Sequence, residues 1–242
     1  MKVSKKEKLR TRRKIIKTAV ELMGEKSYNK VSMRTIARAA KIGDATIYKY
    51  FPSKEKLLTG YYELCAEDTV EALQKIDDIE QYALHEKLQV LLDTYLSHML
   101  PNREFVCESF PLIYQSPMFL FSHVNPIHKE LTPIIAQFLD DAWEKEEIPT
   151  FPFQSVLPDM LCEYMIGVLH FWIKDESEEF HDTTQLIDLS LNLMITLLKS
   201  GIINQAADFL GFMIKGQMLR TLNPGNGLLQ SLLNANKMAT SK

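Results

Sequence analysis

Cysteine is scarce in this chain of 242 residues, and the three present, Cys65, Cys107 and Cys162, lie far apart without metal-ligand spacing. An odd number of scattered thiols excludes a disulfide framework and fits buried thiols in a reducing compartment. No stretch approaches the ~20 apolar residues of a membrane span. The basic opening "MKVSKKEKLRTRRK" is not followed by the apolar run of a secretory signal. A cytoplasmic protein without a membrane span is expected. Alternation of apolar and polar residues is rare, and no paired β-branched runs flank a hairpin turn, so no sheet is expected. Gly-rich phosphate loops and nucleophile elbows are missing. The histidines are dispersed. His85-Glu86 has no second histidine at zinc-protease spacing, and the one Glu-x-x-His spacing, Glu178 with His181, falls in an acidic connection. Neither catalysis nor a metal or cofactor is expected.

What the chain does have is charge, unevenly placed. Residues 1–60 hold 17 Lys+Arg against 5 Asp+Glu, a balance of +12, while residues 61–242 hold 11 against 26, a balance of −15. A small cationic module on an acidic body is the pattern of a polyanion-binding head on a soluble scaffold, because phosphate contacts require Lys and Arg. A division into residues 1–60 and 61–242 follows. The hydrophobic fraction of 46% is ample for a core.

Apolar residues recur at three and four along almost the whole chain, which predicts an all-α fold. A first helix is expected from about Lys6 to Glu25, burying Ile15, Ile16, Ala19, Val20, Leu22 and Met23. Ser32 is placed to cap a short second helix, the "KIG" turn leads into a third that Phe51 and Pro52 end, and Ser53 caps a long fourth from about Lys54 to Ile76. Further helices are expected near 82–100, 103–123, 127–147, 155–174, 184–200 and 203–221. Pro101, Pro111 and Pro117 should interrupt the first two of these, and Gly201 should end the fifth.

The segment "KIGDATIYKYFPSKEKL", residues 41–57, carries more aromatic and cationic surface than a short core helix needs. With Ile47 and Phe51 turned inward, Ala45, Thr46 and Lys49 point away from the core, and Tyr48 and Tyr50 lie on the shoulders. So short a helix is held only by packing on its neighbours. With the preceding helix it makes a helix-turn-helix, whose second member lies in the DNA major groove. Lys49 suits guanine acceptors or a phosphate, Thr46 offers a hydroxyl and a methyl, and Ala45 allows close approach to a thymine methyl. Tyr48 and Tyr50 suit phosphate oxygens. Lys54 adds a cation to the free N–H groups at a helix amino end. Arg34 is placed for a base-edge or phosphate contact.

The stretch from about Arg12 to Tyr61, most specifically "IARAA" and "TIYKYFPSKEKLL", resembles the DNA-binding head of the tetracycline-repressor (TetR) family of bacterial transcription regulators. The resemblance covers about a fifth of the chain. It implies a homodimeric, all-helical repressor in which a helix-turn-helix head is joined by a long helix to a helical-bundle ligand-binding and dimerisation body. The partners implied are a palindromic double-stranded operator, a second copy of the chain and a small-molecule effector. Arg34, Ala45, Thr46 and Lys49 are assigned to bases, and Tyr48, Tyr50 and Lys54 to phosphates. Two positions depart from the family pattern, Lys41 where glycine commonly opens the turn and Gly43 where a small hydroxyl residue commonly caps the helix. Asp44 either supplies the missing cap oxygen or accepts from a cytosine amino group.

By position, the resemblance favours the helices at 155–174 and 184–200 for dimerisation, through Leu161, Met165, Leu169, Trp172, Leu189, Leu193 and Leu197. Phe105, Phe110, Tyr114, Phe119, Phe138, Trp143 and Tyr164 either line an apolar effector pocket or belong to the ordinary core. The helix at 203–221 exceeds the usual family length. It packs over the dimer helices, closes the pocket or lies on a membrane surface. The rival reading is a lipid-binding or scaffolding protein with an unused helix-turn-helix.

Overall fold

The computed structural model describes residues 4–114, 126–152 and 154–222, with backbone alone for 126 and 214–222. Among these residues no strand occurs, and the α-helices are α1 (Lys5–Lys26), α2 (Met33–Ala39), α3 (Asp44–Tyr50), α4 (Lys54–Leu73), α5 (Leu84–Met99), α6 (Arg103–Tyr114), α7 (Pro126–Glu144), α8 (Leu157–Trp172), α9 (His181–Lys199) and α10 (Ile202–Leu222). Serine hydroxyls begin three of them: Ser4, Ser32 and Ser53 accept from the N–H groups of Glu7, Thr35 and Lys56. Each such cap is worth about 1 kcal/mol. The turn out of α2 is closed by backbone bonds, Lys41 N–H to the Arg38 carbonyl at 3.1 Å and Ile42 N–H to the Ala37 carbonyl at 3.0 Å. This closure puts Lys41 in the left-handed region at φ +54°.

The fourth helix is the spine. Its 20 residues span about 30 Å, burying Leu57 and Leu58 under the head and Tyr62, Cys65, Ala66 and Leu73 in the body. A Cβ on Gly60 would meet Phe51 Cε1 at 2.7 Å, so glycine lets the exit of α3 lie directly on α4. One continuous apolar cluster runs from Ile15 in α1 to Leu198 in α9. In the body, the Tyr61 ring meets Phe105 edge-on at 5.0 Å, and the Tyr62 hydroxyl pairs with Ser109 Oγ at 2.8 Å. The buried Lys87 ammonium of α5 pairs with Asp141 of α7, and this hydrogen bond holds the Asp141 carboxyl below its ordinary range. All three cysteines are free. Cys65 and Cys162 are buried, and burial pushes each thiol up to about 12.

Several boundaries differ from expectation. The fourth helix stops at Leu73 instead of Ile76. Pro111 does not interrupt α6 but sits inside it, as Pro133 does in α7. The lost backbone bond is tolerated because buried Phe110 and Ile113 hold the segment from both sides. The outer part of the helix expected at 103–123 lies outside the described residues. Gly201 ends α9 at φ +70°, as its position suggested. No single helix among the described residues is long and apolar enough to cross a membrane.

Candidate nucleic-acid interface

The third helix is anchored on one side and open on the other. Ile47 is fully buried, and Phe51, just past the last turn, is buried as well. On the opposite side Asp44, Ala45, Tyr48 and Lys49 are exposed, Tyr48 by 48%. Thr46 is half-buried at the rim. Tyr50 is also half-buried and packs on the core, so the two tyrosines are not equivalent shoulders. The backbone carbonyl of Gly43 accepts from Thr46 N–H at 2.8 Å, and no side chain caps α3. Asp44 therefore does not supply the missing cap oxygen. Its carboxylate instead faces Arg34 Nε of α2 at 3.6 Å, with both side chains largely exposed. In the free protein this pair occupies the guanidinium expected to reach bases.

The Lys54 side chain is likewise engaged. Its ammonium donates to the Tyr28 carbonyl and lies over the Tyr28 ring, 3.8 Å from the centroid. Burial lowers its pKa, although the neighbouring Glu55 partly restores it. The expected phosphate seat is thus, in the unbound head, a strut between α4 and the turn after α1. Further cations of the head are spent inside the molecule. Arg12 forks between Glu63 and Glu67 of α4, and Arg13 meets Asp68 at 2.5 Å. Burial raises the Glu67 carboxyl despite the Arg12 charge. The +12 balance therefore overstates what reaches a polyanion. A body residue missed in the sequence also holds the head: Glu108 Oε2 of α6 accepts from the Ser27 hydroxyl at 3.2 Å and the Tyr28 N–H at 3.3 Å. Nothing in the linear pattern around Glu108 marks it, because its partners lie some 80 residues away.

Family comparison matches residues 15–60 to "Bacterial regulatory proteins, tetR family" and residues 87–213 to "Tetracyclin repressor-like, C-terminal domain". The chain belongs to the TetR family. It is a DNA-binding transcriptional regulator with a helical ligand-binding body. Among its relatives is the fatty acid metabolism regulator protein of Bacillus subtilis, 25% identical over 191 residues that make up 79% of this chain and 95% of that one. In fold it is similar to FadR from Bacillus subtilis, solved in complex with stearoyl-CoA, at TM-score 0.57 and 22% identity over 76% of this chain and 97% of that one. A TetR regulator from Nitrosomonas europaea gives TM-score 0.55 and 19% identity over 75% and 96%.

In this TetR-family body, the aromatic residues expected to line a pocket fall into separate groups. Phe105, Phe110 and Tyr114 lie along α6, where Phe110 stacks on Tyr114 at 4.2 Å and approaches Tyr62 and His170 at 6.1 and 6.0 Å. Phe138 is buried with the Lys87 ammonium 5.7 Å from its ring, and Trp143 faces Phe151. The Tyr164 hydroxyl pairs with Ser190 between α8 and α9 at 2.6 Å. Phe119 lies outside the described residues. Close to the α6 group, the buried Tyr95 hydroxyl has no hydrogen-bond partner among the described residues, and its electrostatic neighbours include Tyr62, Tyr114, Cys65 and Cys162. The residues expected at the dimer interface also divide. Leu161, Met165, Leu169 and Trp172 are buried in their own subunit at 0–2% exposure, which removes them from any outer surface. Leu189, Leu193 and Leu197 stand out at 60, 62 and 41%. The apolar residues that α8 exposes are Met160 and Phe171. Asp159, Glu163 and His170 of α8 are exposed alongside them.

Proposed function

We propose that the protein binds a palindromic operator as a cytoplasmic homodimer, represses transcription from it and is released by a largely apolar effector. The observation that carries this reading is α3, fixed by Ile47 and Phe51 from behind while Ala45, Tyr48 and Lys49 stand open in front. Residues 1–60 serve as reader and residues 61–242 as sensor. Lys49, Ala45 and Thr46 face bases, Arg34 joins them by leaving Asp44, and Tyr48 and Tyr50 meet phosphates. The exposed leucines of α9 supply the two-fold contact that spaces the heads. An effector lodged among Phe105, Phe110 and Tyr114 would give the Tyr95 hydroxyl a partner, relieving a buried orphan worth about 1–3 kcal/mol. Support for a long acyl chain as that effector comes from the names of the Bacillus subtilis relatives. Two struts would transmit its binding, α4 and the Glu108 contact with Ser27 and Tyr28.

The test begins with operator selection from a random DNA pool, followed by gel-shift titration. Lys49→Ala is expected to weaken the selected site by about 1–3 kcal/mol and to leave the oligomeric state intact. Tyr48→Ala should weaken specific and nonspecific DNA alike. Equal binding by wild type and both variants would remove α3 from DNA recognition. Stearoyl-CoA added to the wild-type complex should free the operator if the acyl reading holds.

A further inference from the structure

The tenth helix exposes most of its described side chains. Its first turn is tied down, with Ile203 packed on the core and the Asn204 amide donating to the Thr150 carbonyl at 2.9 Å. Past Gly201 it diverges from α9 by 56°. The side chains beyond the anchor are large, apolar and bare: Phe209, Leu210, Phe212 and Met213 are exposed by 62, 58, 71 and 46%. Single exposed apolar residues are ordinary, but four within five positions mark a surface that another body covers. Leu189, Leu193 and Leu197 of the preceding helix, α9, are exposed as well. The 21 residues of α10 give a rod of about 30 Å, long enough to cross a neighbouring helix pair.

We propose that α10 is an arm that closes over a second copy of this chain, so that each subunit of the dimer is clasped by the other. The inference rests on the two-fold contact through α9 proposed above. Closeness in the chain names the occupant: α10 begins at Ile202, directly after α9 ends at Lys199, and the exposed leucines of α9 are the proposed two-fold contact. The net charge of the body argues against a lipid surface, and the arm's own balance of +1 is too small to offset it. Between 202 and 222 the ionisable residues are Asp208, Lys215 and Arg220, and residues 61–242 carry a balance of −15, which an anionic membrane would repel.

Sedimentation of the full-length protein tests this. The pair Phe209→Asp and Phe212→Asp should raise the dimer dissociation constant roughly tenfold or more without loss of helical signal. Should that variant lose helicity, Phe209→Ser with Phe212→Ser gives the same reading at a milder charge change. Leu193→Asp should break the dimer outright. A variant arm that dimerises as tightly as wild type, while Leu193→Asp is monomeric, would overturn the clasp and leave the α9 contact standing. A monomeric wild type would overturn both. Co-sedimentation of wild type with phosphatidylglycerol vesicles, abolished by the phenylalanine substitutions, would assign the arm to lipid and overturn the proposal.

Discussion

Lys41 shows how a single residue can carry strain within a motif that otherwise fits its fold. The closure of α2 requires a left-handed residue after the last turn, and a lysine adopts that conformation at a cost of about 1–2 kcal/mol that glycine avoids. Lys41→Gly is therefore expected to stabilise the head by about 1 kcal/mol, after the extra freedom glycine gains in the unfolded chain. In a thermal melt this is an upward shift of about 2–4 °C. No change, or a fall, would mean that the lysine side chain has a stabilising contact there. Arg34 and Asp44 teach the complementary lesson. Each was legible as a surface residue beside DNA, yet their pairing across α2 and α3 emerges only when the two helices are set side by side. An exposed pair of this kind is worth at most about 1 kcal/mol, so exchange for a base edge is cheap.

At the scale of elements, the joint between α8 and α9 depends on one carboxylate. Asp175 accepts from the N–H and hydroxyl of Ser177 and from the N–H and hydroxyl of Thr183, fixing the first turn of α9. Arg103 of α6 closes the same corner by donating to the carbonyls of Trp172 and Asp175. Burial opposes ionisation of Asp175, but these hydrogen bonds outweigh it and hold its carboxyl well below the ordinary value of 3.8. A depressed folded-state pKa contributes stability above the unfolded value, and that contribution is lost as pH falls below it. Asp175→Ala should thus destabilise by about 2–3 kcal/mol at pH 7. Urea midpoints should show the gap from wild type narrowing below about pH 4. A gap that stays constant down to pH 3 would show that packing, not the carboxylate, holds the joint. The connection was visible in the sequence only as an acidic stretch, because a buried carboxylate and a solvated one look alike until their donors are placed.

Over the whole molecule, the division of charge sets how DNA binding responds to salt. Arg12 and Arg13 are consumed by carboxylates of α4, and Lys54 by Tyr28, so fewer cations face outward than the head's composition suggests. If about three cations of each head meet phosphates, a dimer should show a slope of about −5 in log affinity against log salt. A slope near zero in filter-binding titrations would contradict phosphate-dominated docking. The net balance of −15 in the body opposes phosphates, which confines the contact to the heads.

The sequence by itself determined the helical class, the helix starts at Ser32 and Ser53, and the short helix in which Ile47 and Phe51 anchor an aromatic and cationic front. Those features are local: caps, turns and a period of three to four residues act within a few positions of each other. The tertiary structure alone decided that Leu161, Met165, Leu169 and Trp172 face inward, that Lys54 props the head, and that Glu108 reaches across to Ser27 and Tyr28. Which apolar side chains of a helix are covered within the subunit, and the choice of partner by a charge, depend on elements distant in the chain that periodicity does not encode.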